Sequence, residues 1–203
     1  VATMEASVIN NYSNSISDVV ILGRIPAQGN KKIDAETELG STFTTPLSTG
    51  IGLAGAEASN YKIYYSDNAN ASKDLNDSAN GLGETPTTAS KSYLIVFNEN
   101  YEMDSGDKID FEYDISLPEN LEPNNDTYGM YKVYYTNNSE IGSVEETKNS
   151  AIIGMTTGAG PELEANLSST IDTIREGQYV KMKVDVKNIG EVDATGVTVP
   201  FAS

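Results

Sequence analysis

The sequence predicts an all-β fold, an antiparallel β-sandwich, and three observations carry that prediction. Lys108 to Ser116 alternates strictly, with Ile109, Phe111, Tyr113 and Ile115 on one face and Asp110, Glu112 and Asp114 on the other. Period-two alternation with a charged outer face is the pattern of a half-buried antiparallel strand. The apolar runs are short and are separated by turn clusters: Gln28-Gly29-Asn30, Asp104-Ser105-Gly106-Asp107 and Asn124-Asn125-Asp126. Helical periodicity is weak throughout, with room for no more than a short turn in Ser72 to Ser78, so the crossover helices that a parallel sheet requires are not expected.

The elements follow in order. Met4, Ala6, Val8 and Asn10 alternate near the start of the chain. Val19-Val20-Ile21-Leu22 is a branched run, and Lys91 to Phe97 is a second. Tyr61 to Asn68 (YKIYYSDN) is echoed by Tyr131 to Asn138 (YKVYYTNN). In the first copy Tyr61, Ile63 and Tyr65 share one strand face, and Lys62 and Tyr64 share the other. Thr156 to Pro161 is small, Gly-rich and closed by Pro, the composition of a linker. Beyond it come an extended segment (Glu162 to Leu167), an alternating strand (Tyr179 to Val186) and a short strand (Gly196 to Val199). The expected organisation is a β-sandwich module over 1–157 without its first strand, a linker at 158–161, and a partial repeat over 162–203.

Composition removes whole classes of chemistry. The 203 residues carry 13 Lys and Arg against 30 Asp and Glu, a formal net charge of −17. Such acidity disfavours nucleic acid, whose phosphates need basic side chains, and anionic membrane surfaces for the same reason. With no Cys, there is no disulfide, thiolate nucleophile or Cys zinc site. With no His, there is no Ser-His-Asp triad, His metal site or His pH switch. No apolar run approaches the ~20 residues of a membrane-spanning helix, and no signal peptide is visible, so the chain reads as mature or excised.

Two further internal echoes concern organisation. Met103 to Ile115 and Ile174 to Val186 are each a Gly turn followed by an alternating strand. Met4, Ala6, Val8 and Asn10 match Met182, Val184, Val186 and Asn188 at one constant spacing. Each Asn precedes a polar loop, a branched strand and a Pro, namely Pro26 and Pro200. The second match reads as a true repeat.

The motifs Gly160-Pro161-Glu162-Leu163-Glu164, Arg175-Glu176-Gly177-Gln178, Val184 to Gly190 and Ala194 to Pro200 resemble a known family. They are similar to the opening strands of the Ig-like repeat of large Gram-positive bacterial surface proteins. That repeat is catalogued as domain of unknown function eleven, with cell-adhesion-related bacterial domains as relatives. Ile21 to Pro26, Leu39 to Phe43, Ile63 to Ser66 and Tyr128 to Tyr131 resemble the irregular modules that precede such repeats. The resemblance implies an Ig-like sandwich followed by the opening strands of a second Ig-like repeat. It further implies a non-catalytic stalk, spacer or adhesive role at the bacterial cell surface or wall. The partners it implies are neighbouring repeats, another copy of the chain, or host matrix or glycan. It transfers no catalytic residue, because its motifs are structural.

Candidate chemistry remains. Tyr64 and Tyr134, with the Asn-rich loops, are candidates for a sugar platform; cross-strand tyrosine packing is the competing reading. Asp74, Asn76, Ser78 and Asn80 sit two apart, as the oxygen ligands of a calcium loop do. Position six is Ala79 instead of Gly, and position twelve is Thr85 instead of Glu, which favours a solvated loop and leaves calcium as the alternative. An isopeptide crosslink, a feature of related Gram-positive sandwiches, would draw on Lys62 or Lys132 with Asn10 or Asp114. Asp104 and Asp107, or the Asp110, Glu112, Asp114 row, offer the paired carboxylates of a glycoside hydrolase; a solvated strand face is the competing reading. Sequons include those at Asn70, Asn76, Asn125, Asn137 and Asn166, and in a bacterial setting they follow from Asn-rich loops.

Overall fold

The computed structural model describes residues 1–119, 121–139, 142–157, 163–169, 182–189 and 193–198. Its regular structure is almost entirely antiparallel strand: β1 (Ala2–Ile9), β2 (Ile16–Arg24), β3 (Gly52–Ala54), β4 (Tyr61–Ser66), β5 (Ser92–Phe97), β6 (Lys108–Ile115), β7 (Asp126–Ser139), β8 (Gly142–Asn149), β9 (Ile153–Thr156), β10 (Leu163–Ser169) and β11 (Met182–Asn188). Two single 3-10 turns, Ala58–Asn60 and Ser78–Asn80, are the helical content among the described residues. The expected turn in the 72–78 region therefore forms slightly later. The chain divides into two compact units, one made of Val1–Leu121 with Asn125–Met155, the other of Glu122–Asn124 with Thr156–Ser203.

The first unit is a sandwich. One layer has the order β1-β6-β3, and the other has β4-β5-β2-β7-β8, with β9 also paired to β7. The alternation of β6 works as expected: Ile109, Phe111, Tyr113 and Ile115 are buried. They meet Met4 and Val8 of β1 and the inward row Ile21, Ile95 and Val133 of the larger layer in one core cluster. Aromatic edges lock the layers, with Tyr93 against Phe111 at 6.0 Å and against Tyr113 at 5.6 Å between ring centroids.

The larger layer is covered on its outer face as well. Leu22, Ile33, Leu94, Met130 and Tyr134 form a second buried cluster there. Continuous apolar runs such as Val19 to Leu22 suit a strand buried on both faces. The 27–50 and 68–90 loops supply the cover. Asn30 donates from Nδ2 to Tyr128 O at 2.7 Å, and Asn80 Oδ1 accepts from Ser72 N at 2.8 Å. Asp18, at φ 51, sits in the bulge that shifts the β2–β7 register between Ser17 and Val20.

In the second unit β10 and β11 form an antiparallel pair, with Leu167 opposite Val184 and Leu163 opposite Asn188. The expected strand at Gly196 to Val199 is not formed over its described part: Gly196 adopts φ 67, and residues 193–198 are bend and coil. A left-handed Gly interrupts the extended run that Val197 and Thr198 would otherwise favour. The 158–161 linker, the Arg175 to Gln178 turn, the start of the Tyr179 strand and Pro200 lie outside the described residues.

Candidate functional site

A cleft of about 300 Å³ opens between the end of β1 and the β7–β8 edge of the larger layer. Its floor is apolar, from Val8, Ile16 and Val133, and its wall is aromatic, from Tyr12, Tyr131 and Tyr135. Strand alternation explains the wall: Tyr131, Val133 and Tyr135 are the odd-numbered, inward-facing residues of β7. Tyr12 follows β1, where Asn10 folds the chain back. Asn10 Oδ1 accepts from Tyr12 N at 3.0 Å, and Asn10 Nδ2 donates to Asn14 O and Met103 O, each at 2.9 Å.

Glu146 of β8 organises the polar end of this region. Its Oε2 accepts from the hydroxyls of Tyr12 at 2.7 Å and Tyr135 at 3.1 Å, and its Oε1 accepts from Asn137 Nδ2 at 3.0 Å. The Tyr12 hydroxyl bond, then the Asn137 bond, hold the Glu146 carboxyl below the usual carboxylate range. Burial, then the adjacent Tyr12 hydroxyl and the Glu146 carboxylate, push the Tyr135 phenol well up, so it remains a protonated donor. A carboxylate held low by three donors makes a poor proton acceptor but a firm anchor. Tyr131 adds a hydroxyl bond to Ser7 O at 2.7 Å. An apolar floor with a few convergent polar groups is the general form of a small-ligand site.

The residues singled out in the sequence fall elsewhere. Tyr64 and Tyr134 share the outer face of the larger layer, but β5 and β2 stand between their strands. Tyr134 is only 8% exposed and donates its hydroxyl to Asp34 Oδ2 at 2.8 Å. The structure thus forms no joint platform from these two rings. Lys62 is exposed and paired with Glu84 at 3.2 Å. Lys132, whose side chain is 12% exposed, pairs with Asp34 at 2.7 Å. Both lysines lie on the outer face of the larger layer. Asn10 is buried just beyond the end of β1, and Asp114 lies on the outer face of the smaller layer, accepting from Thr3 Oγ1 at 2.7 Å. The structure brings neither lysine to Asn10 or Asp114, since the sandwich itself intervenes.

Asp74, Asn76, Ser78 and Asn80 do share one loop, which is tied by its own hydrogen bonds. Asp74 Oδ1 accepts from Asn76 N at 2.8 Å, and Asp77 Oδ1 accepts from Ala79 N at 2.9 Å. Asn80 is buried, and its Nδ2 donates to Ser72 Oγ at 2.9 Å and Asp74 O at 2.7 Å. Of the oxygens proposed for a cation, Asp74 Oδ1 closes an Asx turn and Asn80 Oδ1 is taken by Ser72 N. Among the described residues no group of three or more acidic side chains is placed to hold a metal ion. Asp107 Oδ2 accepts from Asp104 N at 2.9 Å inside the β6 turn. Asp110 pairs with Lys108 at 2.8 Å and accepts from Ser7 Oγ. The bond from Lys108, then that from Ser7, hold its carboxyl below the ordinary range, the opposite of what a general acid needs.

Sequence reasoning missed the Tyr12, Tyr135 and Glu146 cluster. The YYTNN echo marks Tyr135 as inward-facing, but nothing local links Tyr12 to Glu146. No helix among the described residues is long and apolar enough to cross a membrane. No protein-family model, curated protein or solved structure matches the chain.

Proposed function

We propose that the chain is a non-catalytic module of a bacterial cell-surface protein, a spacer or adhesive β-sandwich of Ig-like type. The observation that carries this reading is recurrence. Met4 to Asn10 and Met182 to Asn188 carry the same alternation; Met4 to Ile9 lies in β1, paired with β6, and Met182 to Asn188 is β11, paired with β10. A strand that recurs in a second unit is the mark of tandem modules. Val186, Ile189 and Val197 of the second unit are exposed, and such apolar surface is what a neighbouring strand covers. The strong negative charge supports a module that resists nonspecific adhesion.

The reading is tested by incubating the chain with a panel of polysaccharides and assaying new reducing ends. None above the blank is expected. Release abolished by Asp107→Asn would replace this reading with a carboxylate hydrolase.

A second reading, a carbohydrate- or matrix-binding module, is favoured by the tyrosine cleft. Reproducible glycan-array binding lost in Tyr12→Ala, with the fold retained, would establish it.

A further inference from the structure

Five of the chain's 13 basic residues meet on the outer face of the larger layer. Arg24 ends β2, and Lys132 lies on the neighbouring β7, opposite Leu22. Lys31 and Lys32 follow the Gly29 turn, and Lys73 places its ammonium 4.5 Å from the centroid of the Tyr134 ring. In a protein of net charge −17 this concentration calls for an explanation.

Two of the five have carboxylate partners: Lys31 with Glu36 at 2.5 Å, and Lys132 with Asp34 at 2.7 Å. Arg24 has no ion-pair partner among the described residues, although it is only 4% exposed. Its Nε donates to Lys31 O at 3.4 Å and its Nη1 to Ala71 O at 2.8 Å. Its Nη2 donates to none of the described residues. Carbonyls satisfy N–H groups without neutralising the charge, and the carboxylate whose field reaches Arg24, Asp34 on the same cleft, makes no direct ion pair with it. Burial lowers the Arg24 guanidinium to about 10, with nearby Tyr134 and Asp34 opposing that shift. Arg24 thus stays charged at neutral pH beside an open cleft of about 400 Å³, lined also by Leu22, Lys31, Lys32, Asn70 and Ser72.

We propose that this cleft binds a sugar acid: one carboxylate on an otherwise uncharged, hydroxyl-rich body, with the carboxylate against Arg24 and Lys32 at the rim. A guanidinium presents parallel N–H groups that match a planar carboxylate. A polyanion fits less well, because Asp34 and Glu36 flank the cleft and the chain as a whole repels extended negative charge. The rim can serve hydroxyls. Ser72 Oγ already accepts from Asp74 N and Asn80 Nδ2, which leaves its own proton to donate. This site is separate from the tyrosine cleft and does not depend on it.

The test is a nuclear magnetic resonance titration of the full chain with D-glucuronate, with D-glucose as the uncharged match and inorganic phosphate as the tetrahedral anion. Glucuronate should give saturable shifts at the Arg24 Nε–H and at the Lys31, Lys32 and Ala71 amides. Glucose should give none, and phosphate a markedly weaker response. Lys32 is exposed, so Lys32→Ala should keep the spectrum of the folded chain and weaken glucuronate binding about threefold. The proposal is overturned by no saturable shift with glucuronate up to roughly 50 mM, by an equal response to glucose or phosphate, or by unchanged affinity in Lys32→Ala.

Discussion

Gly23 and Tyr93 face one another across β2 and β5, and the tyrosine ring occupies the space where a side chain at Gly23 would begin. A Cβ on Gly23 would lie 1.9 Å from Tyr93 Cζ and 2.3 Å from its Cε1. The same ring reaches across the sandwich to Phe111 and Tyr113, so it cannot move aside without losing contact between the layers. Gly23→Ala should therefore destabilise the first unit by about 2–3 kcal/mol, an overpacking cost in a rigid core. Denaturant unfolding measures this. Pairing Gly23→Ala with Tyr93→Leu should give a smaller loss than the two single changes added together.

Glu5 and Glu112 stand directly opposite each other in the β1–β6 ladder, both exposed. Asn10 N donates to Asp107 O at 3.0 Å, which places Glu5 and Glu112 in a closely spaced, non-hydrogen-bonded pair. Like charges so placed repel. Glu5→Lys should raise stability by about 0.5 kcal/mol at low salt, with the gain shrinking as salt is added. An equal gain at high salt would mean that repulsion was not the cause.

Glu146 predicts a pH dependence. Its folded pKa is lowered, first by the Tyr12 bond. Its stabilisation is therefore fully present above the ordinary carboxylate pKa and is lost as pH falls through the folded value. Melting temperatures of the wild type and Glu146→Gln should differ near neutral pH and converge as pH is lowered from roughly 6 to 2. A difference that stays constant with pH would show that the charge of Glu146 does not matter.

The 68–80 loop should behave as a hydrogen-bonded loop and not as a cation site. Melting curves with chelator and with calcium should coincide, since a ligand that binds only the native state would raise the midpoint. Asn80→Ala should cost about 1–2 kcal/mol, because it removes the three bonds by which the buried Asn80 amide ties Ser72 and Asp74 together. A calcium-dependent midpoint would reverse this assignment.

The fold was legible where burial acts on one strand at a time. In Lys108 to Ser116 every second residue meets the core, so the local pattern carries the whole answer. β8 left no such signal. Its one large apolar residue, Val144, is 56% exposed, and the strand is held by its backbone ladder to β7 from Lys132↔Asn149 to Ser139↔Gly142. Edge strands of this kind are defined by a partner and not by their own periodicity. The two tyrosines at 134 and 135 show the same limit. Alternation assigns them to opposite faces, but it does not reveal that the 27–50 and 68–90 loops cover the outer face and bury Tyr134. The Tyr12–Glu146 contact joins residues 134 positions apart, and so depends on tertiary structure alone. The calcium spacing was present, but an oxygen such as Asp74 Oδ1 also closes an Asx turn, and local spacing does not separate the two uses.

The claim that the chain is an outward-facing surface module is tested most directly on intact cells of the source organism. Antibodies raised against the purified chain should label unpermeabilised cells, and brief external protease treatment should remove the label. Labelling that appears only after permeabilisation would contradict the account.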